Sequence, residues 1–410
     1  MDDDEHGYTS PVPDEIEARD LPVEGALPPE LTGRYFRNGP NPRPGDFAPH
    51  WFLGRGMLHG VRLRDGHAEW YRNRWVDAEG EPNTSVLHHA GRLFALVEAA
   101  LPVEIDRELG VLGPCDFGGR LTTAMTAHPK EDPASGDLHF FGYSALPPYL
   151  TYHRLDADGR LVESREIEVP GPTMMHDFAV TEHHIVWLDL PMVFDADLLG
   201  KTMPYRWSDD YGARIGVMSK SGDSVEGHPN GKGAVRWFDV EPCYVFHVGN
   251  AREDAAGRVV LDAVRHAGDH RRLHRWTFDP ASGRVREEGR DDRQIEFPTI
   301  ADTLTGRPNR YLYAVEADTV LKYDEVSGTV DTCSLGAGWH VGEAVFVSTA
   351  ESNAEDDGWL VSIATHDDPD VASRLLVHDA TGLAAGPVAT VHLPRRVPAG
   401  FHGRWIGDAR

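Results

Sequence analysis

The stretch WTFDPASGRVREE (residues 276–288) combines a β-rich segment, a tight turn with Asp, Ser and Gly, and a second β-rich segment. Two such segments joined by this kind of turn are typical of an antiparallel hairpin. Six further stretches repeat the pattern, and they occupy residues 63–71, 132–143, 154–164, 252–264, 322–332 and 375–393. Apolar side chains spaced at the helical period of 3.6 residues are scarce between them. The sequence therefore predicts an all-β protein built from repeated hairpins.

The repetition of hairpins favours a β-propeller, in which each blade is a small antiparallel sheet beside an axial channel. A β-sandwich, or two small β domains, is the alternative. Residues 98–126 and 190–235 lack hairpin turns and are expected to be loops or short helices that form a dome over one face. The acidic, Pro-rich residues 1–30 are interpreted as an extended arm, and residues 31–410 as a single propeller domain.

The composition excludes several classes of partner. The chain has 66 acidic residues against 40 Lys and Arg, and its formal charge of −26 repels nucleic acids. Three widely spaced cysteines fit neither a disulfide framework nor a thiolate metal cluster, which indicates the reducing cytoplasm. The acidic first residues and the lack of an apolar run of about 18 residues predict neither a signal peptide nor a membrane span.

Four of the 22 histidines follow uncharged, largely apolar runs: His128, His176, His247 and His402. Such settings bury the ring, so its nitrogens need partners. One interpretation is four independent core histidines bonded to backbone carbonyls. The other is a shared metal ion, because the inner strands of a propeller bring distant residues to one axis, and four neutral imidazoles suit iron, copper or zinc. Histidines in polar or charged contexts, including His266, are interpreted as solvated, and Asp177 is assigned no role.

Ordered motifs along nearly the whole chain favour the metal interpretation. They include LTGRYFRNGPNP (31–42), HWFLGRGMLHGVRL (50–63), AHPKEDPASGDLHFFGY (127–143), MMHDFAVTEHHIVWLDLP (174–191), WFDVEPCYVFHVGNA (237–251), IEFPTI (295–300), GEAVFVS (342–348) and PAGFHGRW (398–405). In this order the motifs resemble those of the carotenoid cleavage oxygenases, a family of non-haem iron enzymes that includes apocarotenoid and lignostilbene oxygenases.

The resemblance implies a seven-bladed propeller that binds one Fe(II) per chain through His128, His176, His247 and His402. It also implies that Glu98, Glu296 and Glu343 accept the far N–H groups of ligating imidazoles, which fixes the tautomer and orientation of each ring. The expected activity is that of a dioxygenase, with O₂ as co-substrate, that cleaves a carbon–carbon double bond of a carotenoid or apocarotenoid into two carbonyl products, usually aldehydes.

The substrate class is predicted from the residues expected to line a tunnel to the metal, which are Phe52, Trp75, Val97, Leu101, Phe141, Tyr149, Phe194 and Tyr205. Stilbene-cleaving relatives have a lysine and a tyrosine where this chain has Val97 and Trp75, which favours a polyene over a stilbenoid or other aryl alkene. A non-catalytic carotenoid-binding propeller is a further alternative. A polyene resides in lipid, so an apolar patch for peripheral membrane contact is expected near residues 190–207.

Overall fold

The computed structural model describes residues 7–222, 234–349 and 352–408 of the chain. These residues belong to two compact units, one formed by Met1–Asp116 with Arg310–Arg410 and the other by Phe117–Asn309. Residues 1–6 of the predicted arm and residues 223–233 of the second predicted loop stretch lie outside the described part. Throughout the described ranges the regular structure is β-strand with short 3₁₀ segments, so the all-β prediction is confirmed. None of the described helical segments has the length and apolarity to cross a membrane.

The first unit begins with nine strands. They are β1 Glu17–Arg19, β2 Val23–Gly25, β3 Gly33–Pro40, β4 Gly56–Arg64, β5 His67–Trp75, β6 Ser85–His89, β7 Arg92–Leu96, β8 Val103–Ile105 and β9 Val111–Pro114. Strands β6 to β9 form one four-stranded sheet in sequence order. Gly7–Thr9 and Trp51–Leu53 are 3₁₀ segments.

The second unit continues the numbering. Its strands are β10 Lys130–Glu131, β11 Leu138–Tyr143, β12 Leu150–Leu155, β13 Leu161–Glu166, β14 Ala179–Val180, β15 His184–Asp189, β16 Met192–Phe194, β17 Tyr205–Trp207, β18 Arg214–Ser219, β19 Arg236–Asp239, β20 Tyr244–Glu253, β21 Val259–Ala267, β22 His270–Asp279, β23 Arg284–Gly289 and β24 Glu296–Thr299. Sheets of four strands run in the orders β10-β11-β12-β13, β14-β15-β18-β19 and β20-β21-β22-β23, and β16 pairs with β17. Ala196–Leu198 and Asp302–Leu304 are 3₁₀ segments.

The first unit is completed by the C-terminal strands. They are β25 Tyr311–Glu316, β26 Thr319–Asp324, β27 Thr329–Ser334, β28 Trp339–Val341, β29 Val345–Ser348, β30 Gly358–His366, β31 Arg374–Asp379, β32 Pro387–His392 and β33 Gly403–Gly407, with a 3₁₀ segment at Leu383–Ala385. Strands β25, β26 and β27 are neighbours in one sheet. Two larger sheets combine both ends of the chain, in the orders β1-β5-β4-β3-β33 and β2-β32-β31-β30-β28.

All seven predicted hairpin turns join antiparallel strands. In the hairpin at residues 276–288, Asp279 pairs with Arg284 across the turn. The prediction of loops or short helices over residues 98–126 and 190–235 is wrong in part, because β8 and β9 lie in the first stretch and β16, β17 and β18 in the second. In the first stretch, β8 and β9 are joined by a tight turn. Their turn places Leu109, with φ of 69°, in the left-handed region that usually signals Gly. Asp106 stabilises this turn by accepting the backbone N–H groups of Glu108 and Gly110.

The N-terminal stretch is tied down by pairing. Strand β1 extends the sheet at β5, and β2 extends another at β32. The buried Asn41 side chain accepts the Val12 N–H and donates to the Val12 carbonyl. The predicted arm therefore supplies two edge strands to the first unit. The boundary at residue 30, and a single domain over 31–410, stay predictions.

His378 makes the stability of the first unit depend on pH. The ring lies fully buried in β31, and burial lowers its pKa to about 4. Neither ring nitrogen has a hydrogen-bond partner among the described residues. Because the folded pKa lies below the unfolded value of about 6.5, the unfolded chain takes up the proton first, so stability is present above that value and is lost as the pH falls.

We therefore expect the His378→Leu variant to lose less stability in acid than the wild-type chain. Between pH 7.5 and pH 5 the free energy of unfolding of the wild-type chain should fall by about 2 kcal/mol more than that of the variant. Denaturant unfolding at a series of pH values measures the difference. Identical pH profiles for the two proteins would show that His378 titrates normally.

Candidate metal centre

The four predicted metal-binding histidines lie on irregular backbone or next to a strand. His128 precedes the short strand β10, His176 precedes β14, and His402 directly precedes β33. His247 lies inside β20, within the first of two shifts of register opposite β21, the one between Val245 and Val248. Irregular pairing of this kind redirects a side chain out of the regular alternation of a strand.

Three of these histidines meet in the second unit. The Nε2 atoms of His128 and His176 lie 3.0 Å apart, and the centres of the two rings are 4.5 Å apart. The ring of His247 lies 5.4 Å from that of His128 and 5.2 Å from that of His176. Two imidazole nitrogens bound at about 2.1 Å, and at right angles, to one ion would be about 3.0 Å apart. The His128–His176 spacing therefore fits two ligands of one ion.

Glu296 holds His247 from the side opposite its Nε2 atom. Its Oε2 atom lies 2.6 Å from Nδ1 of His247, and its Oε1 atom lies 2.5 Å from Nε2 of His266. Burial opposes ionisation of Glu296, but the two imidazoles outweigh burial and hold its pKa well below the usual range of a glutamate. A proton on Nδ1 of His247 leaves Nε2 as the atom with a lone pair for a metal.

His402 has the same arrangement in the first unit. Its Nδ1 atom lies 3.0 Å from Oε1 of Glu343, and Oε2 of Glu343 accepts the Gly403 N–H at 2.8 Å. The backbone around His402 is also fixed, because its carbonyl accepts the Asn38 N–H and the Arg37 guanidinium donates to the Pro398 carbonyl. Glu343 therefore orients the His402 ring so that Nε2 remains for a metal.

The four imidazoles each offer one ring nitrogen, and these nitrogens all lie within 4.8 Å of one another. All four rings are buried or half-buried. Neutral imidazole is a ligand for zinc, copper, iron and nickel. The donor set therefore fits a divalent transition metal, and this four-histidine metal site replaces the interpretation of four independent core histidines.

The other predicted site residues are placed as follows. Glu98 is half-buried in the turn that follows β7, and its role as a partner of a ligand stays a prediction. Among the predicted tunnel residues, Phe141 is fully buried and packs edge-on against Phe178 and Trp187. Trp75 is buried. The other six are half-buried: Phe52, Val97, Leu101, Tyr149, Phe194 and Tyr205. The tunnel assignment stays a prediction.

Two residues beside the metal site, His266 and Asp177, were not predicted to take part in it. His266 is half-buried against Glu296, so its interpretation as a solvated residue is wrong. The regular register of the predicted hairpin at 252–264 would place His266 opposite Phe246, next to His247, and this signal could have found it. Two register shifts in β20 make Tyr244 its partner instead. Asp177 is buried and accepts a hydrogen bond from the Val248 N–H. Its sequence context gives no comparable signal.

Nearly the whole chain is similar in sequence to known proteins. The family described as retinal pigment epithelial membrane protein matches residues 9–81 and 77–407. A carotenoid cleavage oxygenase of Mycobacterium tuberculosis is 39% identical, covering 97% of this chain and 96% of the relative. A carotenoid 9,10(9',10')-cleavage dioxygenase 1 of Phaseolus vulgaris is 32% identical, covering 98% and 89%.

Solved structures show the same relationship. Cobalt-substituted Synechocystis apocarotenoid oxygenase superposes with a TM-score of 0.86 at 26% identity, covering 98% of each chain. The lignostilbene dioxygenase of Pseudomonas brassicacearum superposes with a TM-score of 0.88 at 27% identity and the same coverage. These matches confirm the predicted seven-bladed β-propeller. The predicted dome stays a prediction. With its four-histidine metal site, the chain belongs to the carotenoid cleavage oxygenase family.

Proposed function

We propose that the chain binds one Fe(II) through His128, His176, His247 and His402 and uses O₂ to cleave a carbon–carbon double bond of a carotenoid or apocarotenoid. The double bond is broken and each of its carbons becomes a carbonyl carbon, so that two aldehydes form. The observation that carries this proposal is the group of four imidazole nitrogens within 4.8 Å of one another.

Iron(II) suits this donor set for two reasons. Four nitrogen ligands leave two positions of an octahedral ion open, whereas a structural zinc site is closed by four ligands. The four imidazoles are neutral, and the carboxylates of Glu296 and Glu343 offset the charge of a dication through the rings that they contact. When bound, the iron supplies the binding and activation of O₂.

The protein's own residues orient the substrate. Phe401 directly precedes His402, and its ring lies 4.9 Å from that of Trp51 and 5.4 Å from that of Phe52. An aromatic group beside a metal ligand offers an apolar surface against which a conjugated chain can pack. Cleavage of one bond among many equivalent ones depends on such positioning. No acid or base is required at the bond for this role.

The choice between a polyene and an aryl alkene rests on Trp75 and Val97. The Trp75 indole N–H donates to the Asn41 carbonyl at 2.8 Å, and the Arg43 guanidinium lies over its ring at 4.8 Å. Trp75 therefore has no remaining donor for a phenolic hydroxyl, and Val97 has none at all. This favours the carotenoid or apocarotenoid. The stilbenoid alternative is supported by the superposition on the lignostilbene dioxygenase.

Chromatography of products from a small panel tests the substrate class. Iron-loaded protein is incubated in air with a carotenoid, an apocarotenal and a 4-hydroxystilbene. We expect the two polyenes to yield pairs of carbonyl products and the stilbene to return intact. Cleavage of the stilbene alone would assign an aryl alkene as the substrate. Intact recovery of all three compounds would support a non-catalytic binding propeller.

We also propose a cytoplasmic enzyme that contacts membranes peripherally, because its substrate resides in lipid. The free, buried Cys115, Cys243 and Cys333 support a reducing compartment. In the second unit, Leu146, Leu199 and Trp207 expose 73%, 57% and 40% of their surface. Leu199 and Trp207 lie in the 190–207 segment, and two large apolar side chains exposed in one segment support a contact with lipid there.

Flotation with neutral phosphatidylcholine vesicles is expected to carry the wild-type chain upward. Leu199→Asp should lower the floated fraction several-fold, because a carboxylate resists transfer from water into lipid. Val326→Asp is the matched control, since Val326 is 77% exposed in the first unit, in the turn between β26 and β27. Equal flotation of the two variants would rule out Leu199 as part of a lipid contact.

A further inference from the structure

The structure assigns to Asp177 a role as a positioning residue of the metal centre. We infer that its carboxylate ties together the three segments that carry His128, His176 and His247, and so sets the geometry of these ligands. The inference rests on the proposed function, because it concerns the same metal site. Asp177 itself contacts neither the substrate nor the metal in this account.

The contacts of Asp177 reach all three segments. Its Oδ1 atom lies 2.7 Å from the Lys130 ammonium, and its Oδ2 atom accepts the Val248 N–H at 2.8 Å. The Phe178 N–H donates to Oδ1, also at 2.8 Å. Only 1% of the Asp177 surface is exposed. One buried carboxylate therefore binds a cation and two backbone amides.

The residues that Asp177 connects lie one or two positions from the predicted ligands in the sequence. Lys130 follows His128 by two residues, Asp177 directly follows His176, and Val248 directly follows His247. A displacement of the Val248 or Asp177 backbone is carried to the adjacent ligand through one peptide unit, and Lys130 connects through its side chain and two peptide units. The carboxylate thus connects three backbone segments, whereas among the predicted ligands Glu296 contacts the ring of His247.

Hydrogen bonds of the Thr126 hydroxyl also connect the segments of His128 and His176. Thr126 Oγ1 accepts the His128 N–H at 3.1 Å and lies 3.5 Å from the His176 carbonyl. This contact leaves out the third segment. Tyr244 of β20 also donates to the Met174 carbonyl, at 3.0 Å. Asp177 adds a contact directly beside His247, because it accepts the Val248 N–H.

A purely structural ion pair is the competing interpretation, and Asp262 provides a matched control for it. Asp262 is also a buried aspartate of the second unit, 4% exposed, and it binds the guanidinium groups of Arg252 and Arg275. None of these three residues lies within four positions of a predicted ligand. Loss of either carboxylate should lower stability, but only Asp177 should affect the metal.

Cobalt(II) titration of the metal-free full-length protein separates the two interpretations, with visible absorption as the readout. We expect Asp177→Asn to weaken cobalt binding about 10–100-fold and to change the absorption spectrum of the bound ion. Asp262→Asn should lower the melting temperature while its cobalt affinity and spectrum stay within about twofold of wild type. Asp177→Glu, which keeps the charge, should recover part of the affinity.

Lys130→Met provides a second test, because it keeps the Asp177 carboxylate and its two backbone amides and removes only the cation. It should weaken cobalt binding in the same direction as Asp177→Asn. Wild-type affinity and spectrum in both Asp177→Asn and Lys130→Met would overturn the inference, as would an equal loss of affinity in Asp262→Asn. A wild-type chain that binds no cobalt would instead overturn the proposed metal centre, and this inference with it.

Discussion

His402→Ala is expected to purify without iron and to lose cleavage of the polyene. The variant removes one of four nitrogen donors and leaves Glu343 without the imidazole that it orients. Loss of a hydrogen-bonded partner of a ligand typically costs about 10–100-fold in metal affinity or activity, and loss of the ligand itself should cost more. Metal analysis and product chromatography, on the same preparation, measure both effects.

His378→Leu is the matched control for this variant. His378 is also a buried histidine of the first unit, but it is not part of the four-histidine group. It should retain one iron per chain and near wild-type cleavage at neutral pH. A full complement of iron in His402→Ala would remove His402 from the ligand set.

Glu296→Gln is expected to weaken metal binding about 10–100-fold and to lower cleavage at subsaturating iron by a similar factor. The amide keeps the size of the side chain but replaces one acceptor oxygen by a donor. It can accept from only one of His247 and His266, and a neutral amide oxygen binds the Nδ1 proton of His247 less strongly than a carboxylate does, so the tautomer and orientation of that ring are held less firmly. Iron titration of the metal-free protein measures the affinity.

Glu253 offers an unusually close control for Glu296. It also belongs to the second unit, and it also contacts two histidines, His183 and His184, through their Nδ1 atoms at 2.8 and 2.9 Å. Those histidines are not in the four-histidine group. Glu253→Gln should leave metal affinity unchanged. Equal losses in the two variants would mean that the effect of Glu296 is one of general stability.

The local signals of the chain predicted most of its fold. Each of the seven hairpins has a turn that contains Asp and Gly, and the geometry of such a turn depends mainly on its own residues. The turn between β8 and β9 escaped prediction because Leu109 adopts the left-handed conformation without a glycine. The pairing of β1 and β2 with distant strands depends on long-range contacts, which no local pattern encodes.

Most residues of the metal site were also predicted from the sequence. The apolar runs before the four histidines marked them as buried, and the family resemblance joined them into one metal site. Glu296 and Glu343 were found in the same way, and each contacts the Nδ1 atom of a predicted ligand. His266 and Asp177 were missed because their neighbours in sequence are polar or uninformative. Their roles follow from tertiary contacts with Glu296, Lys130 and Val248.

We expect that one iron, held by the four histidines, is required for cleavage of the polyene. Titration of the metal-free protein with Fe(II), with the bleaching of an apocarotenal in air as readout, tests it most directly. We predict no bleaching without metal, a rate that rises with added iron, and a plateau at one equivalent per chain. Bleaching by the metal-free protein would show that the metal is not required, and no bleaching at several equivalents of iron would show that iron does not activate the chain.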